Sequence, residues 1–494
     1  MNPRNVNKDE GGTPITTIGV TTADRPEPLA RCLRSLIPQV RGRAVRIIVV
    51  DGSKVARNES LNRSNVKSIA RSADLDISYI ARSERQAIRK ALRSVCPGRL
   101  LDFALTPSAS GNRNTAILLG SGENVLLVDD DVVCDLWKVR SFRNAIDVCG
   151  HVERREIAFF TTRASARRGM IHATTNLLDA HRVLLGRSLD SLSANDTRRV
   201  DTTRACRFLL EGLTGVRRVV VRTTFSGLTG DAGASNPERL LFGTRKWKEL
   251  LQSSRDVYDT AFTYREVRRV ASRYLVTHDS GCMGFCMGLA NTAMVPPFLP
   301  TGRNEDGLFG LTLTAVDRTA VGGHVPYAVL HDSTRPAGYG KYAFVSATQT
   351  RVADLMIHLV NSWTSSTKAA GPRQRLARLA SWLGDLADLD DAEFARMIVG
   401  AIFNARQREL TAIAEAFRPE SNYPDYWQRD LRRYRDTLWK SLQKPEFFVP
   451  VELTDGRSPT LGLRKVRQFI RLSSELLQVW PTLWADGRRQ VNLV

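Results

Sequence analysis

Two short apolar stretches separated by a helical pattern constrain the fold of the N-terminal part most strongly. Residues 15–22, ITTIGVTT, are rich in β-branched side chains and predict a first strand, and residues 45–50, VRIIVV, predict a second. Between them, Leu29, Leu33 and Leu36 recur at helical spacing. A strand, a helix and a second strand in this order predict the βαβ unit of a parallel sheet, which binds ligands at the carboxyl ends of its strands.

A further predicted strand ends in three consecutive acidic residues. Residues 123–128, ENVLLV, follow a helical stretch at 112–120 and lead into Asp129, Asp130 and Asp131. The apolar run suits a strand that is covered on both faces. Three carboxylates at its end would lie at the ligand-binding edge of the sheet, where they could anchor a divalent cation.

The patterns beyond this strand divide the chain further. From about 150 to 275, Arg-rich and Thr-rich segments with loop signals predict an insertion that shapes an acceptor or partner surface. Helical spacing then predicts helices at 351–363, 373–387, 391–417, 425–443 and 463–479. We therefore expect a disordered tail at 1–14, an α/β domain at 15–345 with this insertion, and an all-helical domain at 346–494.

Composition and charge limit the classes of protein. The 494 residues are 42% hydrophobic and 25% charged, which is typical of a folded protein of two or three domains. The formal net charge of +21 favours anionic partners, with a basic but inert surface as the alternative. The seven cysteines are scattered, which argues against a disulfide framework, and Cys282 and Cys286 are expected to pack among apolar side chains. Without a signal-like N-terminus or a run of 18 apolar residues, we expect a cytoplasmic protein that is open to contact with a membrane surface.

Several segments occur in the order found in a known enzyme family. GVTTADRPEPLARCLRSL, VRIIVVDGS, SGNRNTAI and the aspartate triplet together resemble the family 2 glycosyltransferases with the GT-A fold. This resemblance covers roughly residues 15–135 and 278–335. It implies a Rossmann-like mixed sheet with helices on both faces, and an inverting transfer from a nucleotide-sugar donor assisted by Mg2+ or Mn2+. The signature of processive synthases, Gln-x-x-Arg-Trp, is missing from the sequence, which implies a single transfer.

The resemblance also assigns roles to individual residues. The segment RNEDG, which precedes an apolar helical stretch, resembles the family's Glu-Asp motif, so Asp306 is expected to be the general base with Glu305 beside it. The expected metal ligands are Asp129, Asp131 and, after the strand VPYAVL, His331. The residues expected to bind the nucleotide sugar are Thr22, Asp24, Arg25, Asp51, Arg113, Asn114, Asp129 and Asp130.

The sequence leaves the substrates and two other functions open. The donor nucleotide is not identified, although UDP is favoured, and the acceptor is unknown and could be anionic. A nucleotidyltransferase that makes nucleotide sugars is one alternative, but such enzymes open with a Gly-rich loop where this chain has TADRP. The other is a non-enzymatic nucleic-acid-binding or scaffold protein, for which residues 423–439 are the best candidate. That segment fits an amphipathic helix better, so no nucleic-acid partner is expected.

Overall fold

A large mixed sheet forms the centre of the protein. The computed structural model describes residues 12–150, 155–195, 198–233, 245–279, 281–339, 348–363, 371–418, 422–444, 448–454 and 458–491. Within these ranges, 14 strands form one sheet that contains both parallel and antiparallel pairs. Buried apolar side chains on its two faces pack against helices in two large clusters. The predicted α/β sheet with helices on both faces is therefore confirmed, whereas its assignment to the GT-A fold stays a prediction.

The N-terminal part begins with the predicted βαβ arrangement. Its elements are β1 (Ile15–Thr22), α1 (Pro26–Val40), β2 (Arg46–Asp51), α2 (Ala56–Ala73) and β3 (Ile77–Ile80). The three strands are parallel, and Thr22 at the end of β1 is in register with Asp51 at the end of β2. Of the predicted tail, residues 1–11 lie outside the described residues, and the carbonyl of Thr13 accepts a hydrogen bond of 2.7 Å from Asn124.

The next segment carries the aspartate triplet. Its elements are α3 (Arg82–Leu92), α4 (Gly98–Ala104), α5 (Ala109–Leu119), β4 (Glu123–Asp129) and β5 (Val132–Lys138). The strand β4 pairs in parallel with β1, which sets Asp129 opposite Thr21. Its apolar residues from Val125 to Val128 are completely buried, as the sequence predicted. The carboxyl ends of β1, β2 and β4 thus meet at one edge of the sheet.

The segment expected to be an insertion is part of the sheet itself. Its elements are β6 (Ala145–Cys149), β7 (Arg155–Phe160), α6 (Arg163–Arg167), β8 (Ile171–His172), α7 (Leu177–Arg182), α8 (Leu189–Asn195), β9 (Arg199–Arg204), α9 (Arg207–Leu213), β10 (Val220–Asp231), α10 (Arg245–Ser253), α11 (Arg255–Thr263), β11 (Glu266–Ala271) and β12 (Tyr274–Thr277). Almost every residue of β10 is buried, although the strand is rich in Thr and Gly rather than in apolar residues. Because β10 lacks a run or an alternation of apolar residues, its sequence pattern does not predict a strand.

The remaining strands complete the sheet around β10. They are β13 (Cys286–Asn291) and β14 (Ala320–His331), with the helix α12 (Glu305–Val316) between them. The main order is β3-β2-β1-β4-β13-β10-β14-β12-β6-β9; β11 pairs with β10 and β7, while β5 pairs with β14 and β8. Because β10 and β14 are parallel, Asp231 and His331 end neighbouring strands on the same side.

The C-terminal part is helical, as predicted. Its helices are α13 (Val352–Ser362), α14 (Pro372–Asp388), α15 (Asp391–Ala416), α16 (Asp425–Leu442) and α17 (Pro459–Val491). The last helix is longer than the predicted 463–479, and Asp390 caps α15 by accepting hydrogen bonds from two backbone amides. The helix α16 buries Trp427 and Tyr434, so the amphipathic interpretation of this segment is confirmed. None of the described helices combines the length and apolar character needed to cross a bilayer.

These helices share a hydrophobic core with the sheet. Residues of β2, α5 and α12 belong to the same buried cluster as residues of α14 and α17. Two indoles of α17 also donate hydrogen bonds, from Trp480 to the carbonyl of Val295 at 2.6 Å and from Trp484 to the side chain of Asn291 at 2.7 Å. The helical part therefore covers one face of the sheet.

A buried histidine makes the fold sensitive to acid. His181 of α7 is fully buried between the hydroxyls of Thr224 and Ser226, at 2.7 and 2.9 Å, and burial lowers its pKa to about 3. Since its folded-state pKa lies below the unfolded value of 6.5, its contribution to stability is complete above that pH and is lost as the unfolded state takes up the proton. We expect the free energy of unfolding to fall by about 2 kcal/mol between about pH 8 and pH 5 because of this histidine.

Urea denaturation at these two pH values measures this loss. The difference should shrink in His181→Gln and persist in His172→Gln, which changes an exposed histidine. An unchanged pH dependence in His181→Gln would assign the acid sensitivity to other groups.

Candidate active site

A cleft of about 500 Å³ lies at the carboxyl ends of β1, β4, β10 and β14. Its lining includes nine of the residues singled out from the sequence, namely Thr22, Arg25, Arg113, Asp129, Asp130, Asp131, Glu305, Asp306 and His331. Side chains from strand ends and from the start of α12 thus converge on one space. Asp24, Asp51 and Asn114 do not line it.

The three aspartates have partly different partners. Asp129 accepts a hydrogen bond from Thr21 at 3.0 Å. Asp130 accepts hydrogen bonds from Thr22 at 2.7 Å and from Arg25 at 3.1 Å. Arg25 also bonds Asp131 at 2.9 Å and therefore bridges two neighbouring carboxylates. The loop after β1 thus places an arginine directly before α1, where it contacts both carboxylates.

Burial and neighbouring charges separate the acid strengths of these groups. Burial and the charge of Asp131 raise the pKa of Asp130 to about 7, against the opposing effect of Arg25. Burial would also raise the pKa of Asp131, but its contact with His331 and the charge of Arg25 hold that pKa well below its usual range. Burial disfavours the charged form of His331, but Asp131 and the carbonyl of Asp231 outweigh it and raise the pKa of this imidazole to about 9.

The pair of Asp131 and His331 fits two neighbouring positions around a divalent cation. Nδ1 of His331 lies 2.8 Å from the carbonyl oxygen of Asp231, a contact typical of metal-binding histidines, which leaves Nε2 directed at Asp131. Nε2 is 3.1 Å from Oδ1 of Asp131, and this buried oxygen has no hydrogen bond of good geometry. Adjacent ligands of an octahedral cation at about 2.1 Å lie about 3 Å apart. Across the described ranges, no three His, Cys, Asp or Glu side chains surround one point, so other ligands would come from substrate or water.

Arg113 joins the aspartate triplet to the start of α12. Its side chain is only 4% exposed and bonds Asp129 at 2.7 Å and Glu305 at 2.5 Å. The guanidinium also lies over the ring of Phe298, 5.5 Å from its centroid. Burial raises the pKa of Glu305, and the positive charge of Arg113 acts in the opposite direction. Glu305 is thus a partner of Arg113, and the two motifs form one connected network.

Asp306 is fixed by the backbone and faces the cleft. Its Oδ2 accepts a hydrogen bond of 2.8 Å from the amide of Gly284, and its Oδ1 accepts one of 2.9 Å from the amide of Gly307. The side chain is only half-buried. A carboxylate held at a helix N-terminus in this way is oriented and still has lone pairs for a substrate proton.

Gly284 makes this arrangement of Arg113 and Asp306 sterically feasible, and no sequence motif pointed to this glycine. A Cβ at this position would lie 2.9 Å from a guanidinium nitrogen of Arg113 and 3.2 Å from Cβ of Asp306. We expect Gly284→Ala to lower the free energy of unfolding by about 1–3 kcal/mol because the ion pairs must shift. Urea denaturation measures this; Gly98→Ala, at a helical position with nothing within 4 Å, is the control and should cost nothing. Equal free energies of unfolding for the Gly284 and Gly98 variants would contradict this steric role.

Asp51 and Asp24 organise the loops behind the cleft. Asp51 accepts hydrogen bonds from Asn62 at 2.8 Å and from the hydroxyl of Tyr79 at 2.5 Å. Asp24 adopts a left-handed backbone conformation, with φ of 57°, and accepts hydrogen bonds from the amides of Lys54 and Val55, just before α2. Their roles as nucleotide ligands stay predictions.

The side chain of Asn114 also forms its hydrogen bonds with the protein backbone. Its side chain donates to the carbonyls of Ala104 and Phe298 at 2.9 and 2.8 Å, and accepts from the amide of Phe298 at 2.8 Å. It thereby fixes the segment that precedes the Glu-Asp motif. Asn114 is completely buried, and its expected contact with a nucleotide stays a prediction.

The sequence did not single out two further groups of residues that line the cleft. One consists of three arginines from separate loops, Arg303, Arg335 and Arg351. The other consists of apolar side chains, namely Ile157, Phe159, Leu228, Trp247 and Val267. We call these two groups the arginine rim and the apolar wall. No motif joins the arginines in sequence, so only the fold reveals the rim.

Comparisons with known proteins find a distant likeness among solved structures. No family model matches the chain, and no curated protein matches it. Among solved structures, the chain is similar to the mannosyltransferase PcManGT from Pyrobaculum calidifontis, which was solved in complex with GDP-Man and Mn2+. The superposition covers 90% of each chain, with 12% sequence identity and a TM-score of 0.33. A likeness of this degree decides neither the fold family nor the activity.

Proposed function

We propose that the protein is an inverting glycosyltransferase that moves one sugar from a nucleoside diphosphate to an acceptor hydroxyl. The observation that carries the proposal is the convergence, in one cleft, of the aspartate triplet after β4 and Asp306 at the start of α12. Such a transfer needs a site for the departing diphosphate and a carboxylate for the acceptor's proton. The two motifs supply these at opposite ends of the Arg113 network.

The donor side is assigned to the ends of β1, β2 and β4. Thr22 lines the cleft and would hold the nucleoside, and Asp51 ends the neighbouring strand behind it. Asp131 and His331 would hold a Mg2+ or Mn2+ ion with Asp129 nearby. When bound, this ion would stabilise the negative charge of the departing diphosphate. Arg25 lies beside the same carboxylates and would contact the phosphates.

The acceptor side is assigned to Asp306. Its carboxylate takes the proton of the acceptor hydroxyl as that oxygen forms a bond to the anomeric carbon. The bond between this carbon and the diphosphate oxygen breaks on the opposite side, which inverts the configuration. The two backbone hydrogen bonds to Asp306 keep the carboxylate aimed at the cleft during this step.

Calorimetric titration of UDP, GDP, dTDP and CDP, with and without Mn2+, tests the proposal. We expect metal-dependent binding of one nucleotide, with UDP favoured. If none of the four binds, while oligonucleotides bind tightly with a steep dependence on salt, the protein is a nucleic-acid-binding protein and not a transferase.

A further inference from the structure

One polar side chain of the cleft has no part in the transfer described so far. Asn112, near the start of α5, lines the cleft together with Thr22. Its carboxamide packs against Gly52, directly after β2, where a Cβ would lie 3.2 Å from Nδ2 of Asn112. Asn112 therefore lies beside the carboxyl ends of β1 and β2, where the nucleoside is proposed to bind.

The orientation of this carboxamide is fixed by two groups that can each bond only one of its ends. Nη2 of Arg85 donates to Oδ1 of Asn112 at 2.8 Å, and Nδ2 of Asn112 donates to the carbonyl of Thr22 at 3.1 Å. A guanidinium can only donate, and a backbone carbonyl can only accept. Because a carboxamide turned by 180° would lose both hydrogen bonds, Asn112 holds one orientation.

Arg85 is itself held in place by the protein. It is only 3% exposed and also donates to the backbone carbonyl of Asp51 at 3.0 Å. No carboxylate within the described ranges forms an ion pair with it. Burial and the charge of Arg89 lower the pKa of Arg85 to about 10, so the guanidinium stays protonated at neutral pH. A buried and permanently donating group thus holds the oxygen of Asn112.

The second N–H of the Asn112 carboxamide has no acceptor among the residues that the structure describes. The carbonyl of Thr22 accepts from the amide of Gly52 at 2.9 Å as well as from Asn112, so its lone pairs are occupied. Asn112 is only 2% exposed, and water therefore has little access to the free N–H. A buried donor without an acceptor costs free energy, which a ligand oxygen in the cleft would recover.

Asp51, which the sequence suggested for the nucleoside, forms its hydrogen bonds within the protein. Its Oδ1 accepts from the amide of Ser53 at 2.7 Å. Its Oδ2 accepts from Asn62 at 2.8 Å and from the hydroxyl of Tyr79 at 2.5 Å. The carboxylate does not line the cleft, whereas Asn112 does. At the ends of β1 and β2, Asn112 is thus better placed than Asp51 to contact a base.

We propose that Asn112 recognises the base of the nucleotide donor by donating its free N–H to an exocyclic carbonyl oxygen of that base. This inference rests on the proposed transfer and names the class of base. Uracil, thymine and guanine carry a carbonyl oxygen at the position where cytosine and adenine carry an amino group. Because Arg85 keeps the carboxamide from turning, Asn112 cannot offer its oxygen to an amino group instead, and a base with that group would leave two donors facing each other.

Calorimetry with UDP, CDP, GDP and ADP in the presence of Mn2+ tests the inference. We expect UDP to bind at least tenfold more tightly than CDP, or GDP than ADP if the cleft takes a purine. Asn112→Ala should reduce this preference to less than threefold without changing the affinity for pyrophosphate. Asn112→Asp, whose carboxylate can only accept, should abolish or reverse the preference. Asn404→Ala, at an exposed position on α15 outside the cleft, is the control and should keep it.

A third variant tests the role of Arg85 in positioning Asn112. Arg85→Met releases the oxygen of the carboxamide, so it should lower the preference between the two bases without lowering the affinity for pyrophosphate. Circular dichroism shows whether each variant is folded. Asn112→Ala and Asn112→Asp change the side chain in different ways, and either decides the question if the other does not fold.

An original protein that prefers CDP or ADP, or an Asn112→Ala variant with the full preference, would overturn this inference and leave the transfer in place. Failure of all four nucleotides to bind would reject the transfer and this inference with it. Binding that depends on the base and on Asn112, without release of a nucleoside diphosphate from any nucleotide sugar, would retain the recognition of the base and reject the transfer.

Discussion

Asp306→Asn is expected to reduce the rate of sugar transfer by a factor of about 10² to 10⁴, the usual contribution of a general base, without changing the affinity for the donor nucleotide. Asparagine keeps a side-chain oxygen that can accept a hydrogen bond from the amide of Gly284, so the loop should keep its course. Its amide cannot take a proton at neutral pH. Release of the nucleoside diphosphate from its sugar measures the rate, and calorimetry measures the affinity.

A matched control variant distinguishes loss of the base from a nonspecific effect of replacing an aspartate. Asp385→Asn removes the charge of an exposed aspartate on α14, away from the cleft, and should leave both quantities unchanged. If Asp306→Asn retained full activity, Asp306 would not be the base. A loss of donor affinity equal to the loss of rate would instead assign Asp306 to binding.

Asp131→Ala is expected to abolish the effect of Mn2+ on nucleotide binding, with a loss of about 100-fold or more in metal-dependent affinity. The reason is that Asp131 is the carboxylate that faces His331 at 3.1 Å, so its removal leaves one side chain where two are needed to hold the ion. Binding measured without metal should change much less. Calorimetric titration of the nucleotide with and without Mn2+ measures the metal-dependent and the metal-independent affinity.

The removal of Asp131 also leaves Arg25 with one carboxylate partner fewer, so loss of folding must be excluded. Asp131→Asn keeps the volume and serves as a second variant, and thermal unfolding reports whether each is folded. Asp135→Ala, at an exposed position on the adjoining β5, is the control and should keep the full response to Mn2+. An equal Mn2+ response in the Asp131 and Asp135 variants would place the metal elsewhere.

The parts of the fold that the sequence predicted are those with strong periodic signals. The strands β1, β2 and β4 are apolar and β-branched, and the C-terminal helices repeat apolar residues at helical spacing. The strand β10 was missed because its buried residues include polar ones such as Thr224 and Thr229, whose hydroxyls find their partners, His181 and the carbonyl of Val329, only in the folded protein. Burial there depends on tertiary contacts that no local pattern records.

The sequence indicated residues that the fold brings together in one cleft, but it did not indicate how they are connected. The motifs indicated Asp129 and Glu305, yet only the structure shows that Arg113 binds both. The carboxylates are far apart in sequence, and their distance depends on how β13 and the loop after it run. The same holds for Arg303 and Arg335, which come from loops on either side of β14 and α12 and become neighbours only in the folded chain.

The shared core of the sheet and the C-terminal helices makes the chain indivisible. Trp484 bonds Asn291 at the end of β13, and Trp480 bonds Val295 in the stretch that leads from there to the Glu-Asp motif. A fragment that stops near residue 345 would keep every proposed catalytic side chain, but it would present a bare apolar face to water and would be prone to aggregation. A fragment of residues 15–345 is therefore expected not to fold stably, and substitutions of buried residues in α17 are expected to disturb the cleft as well.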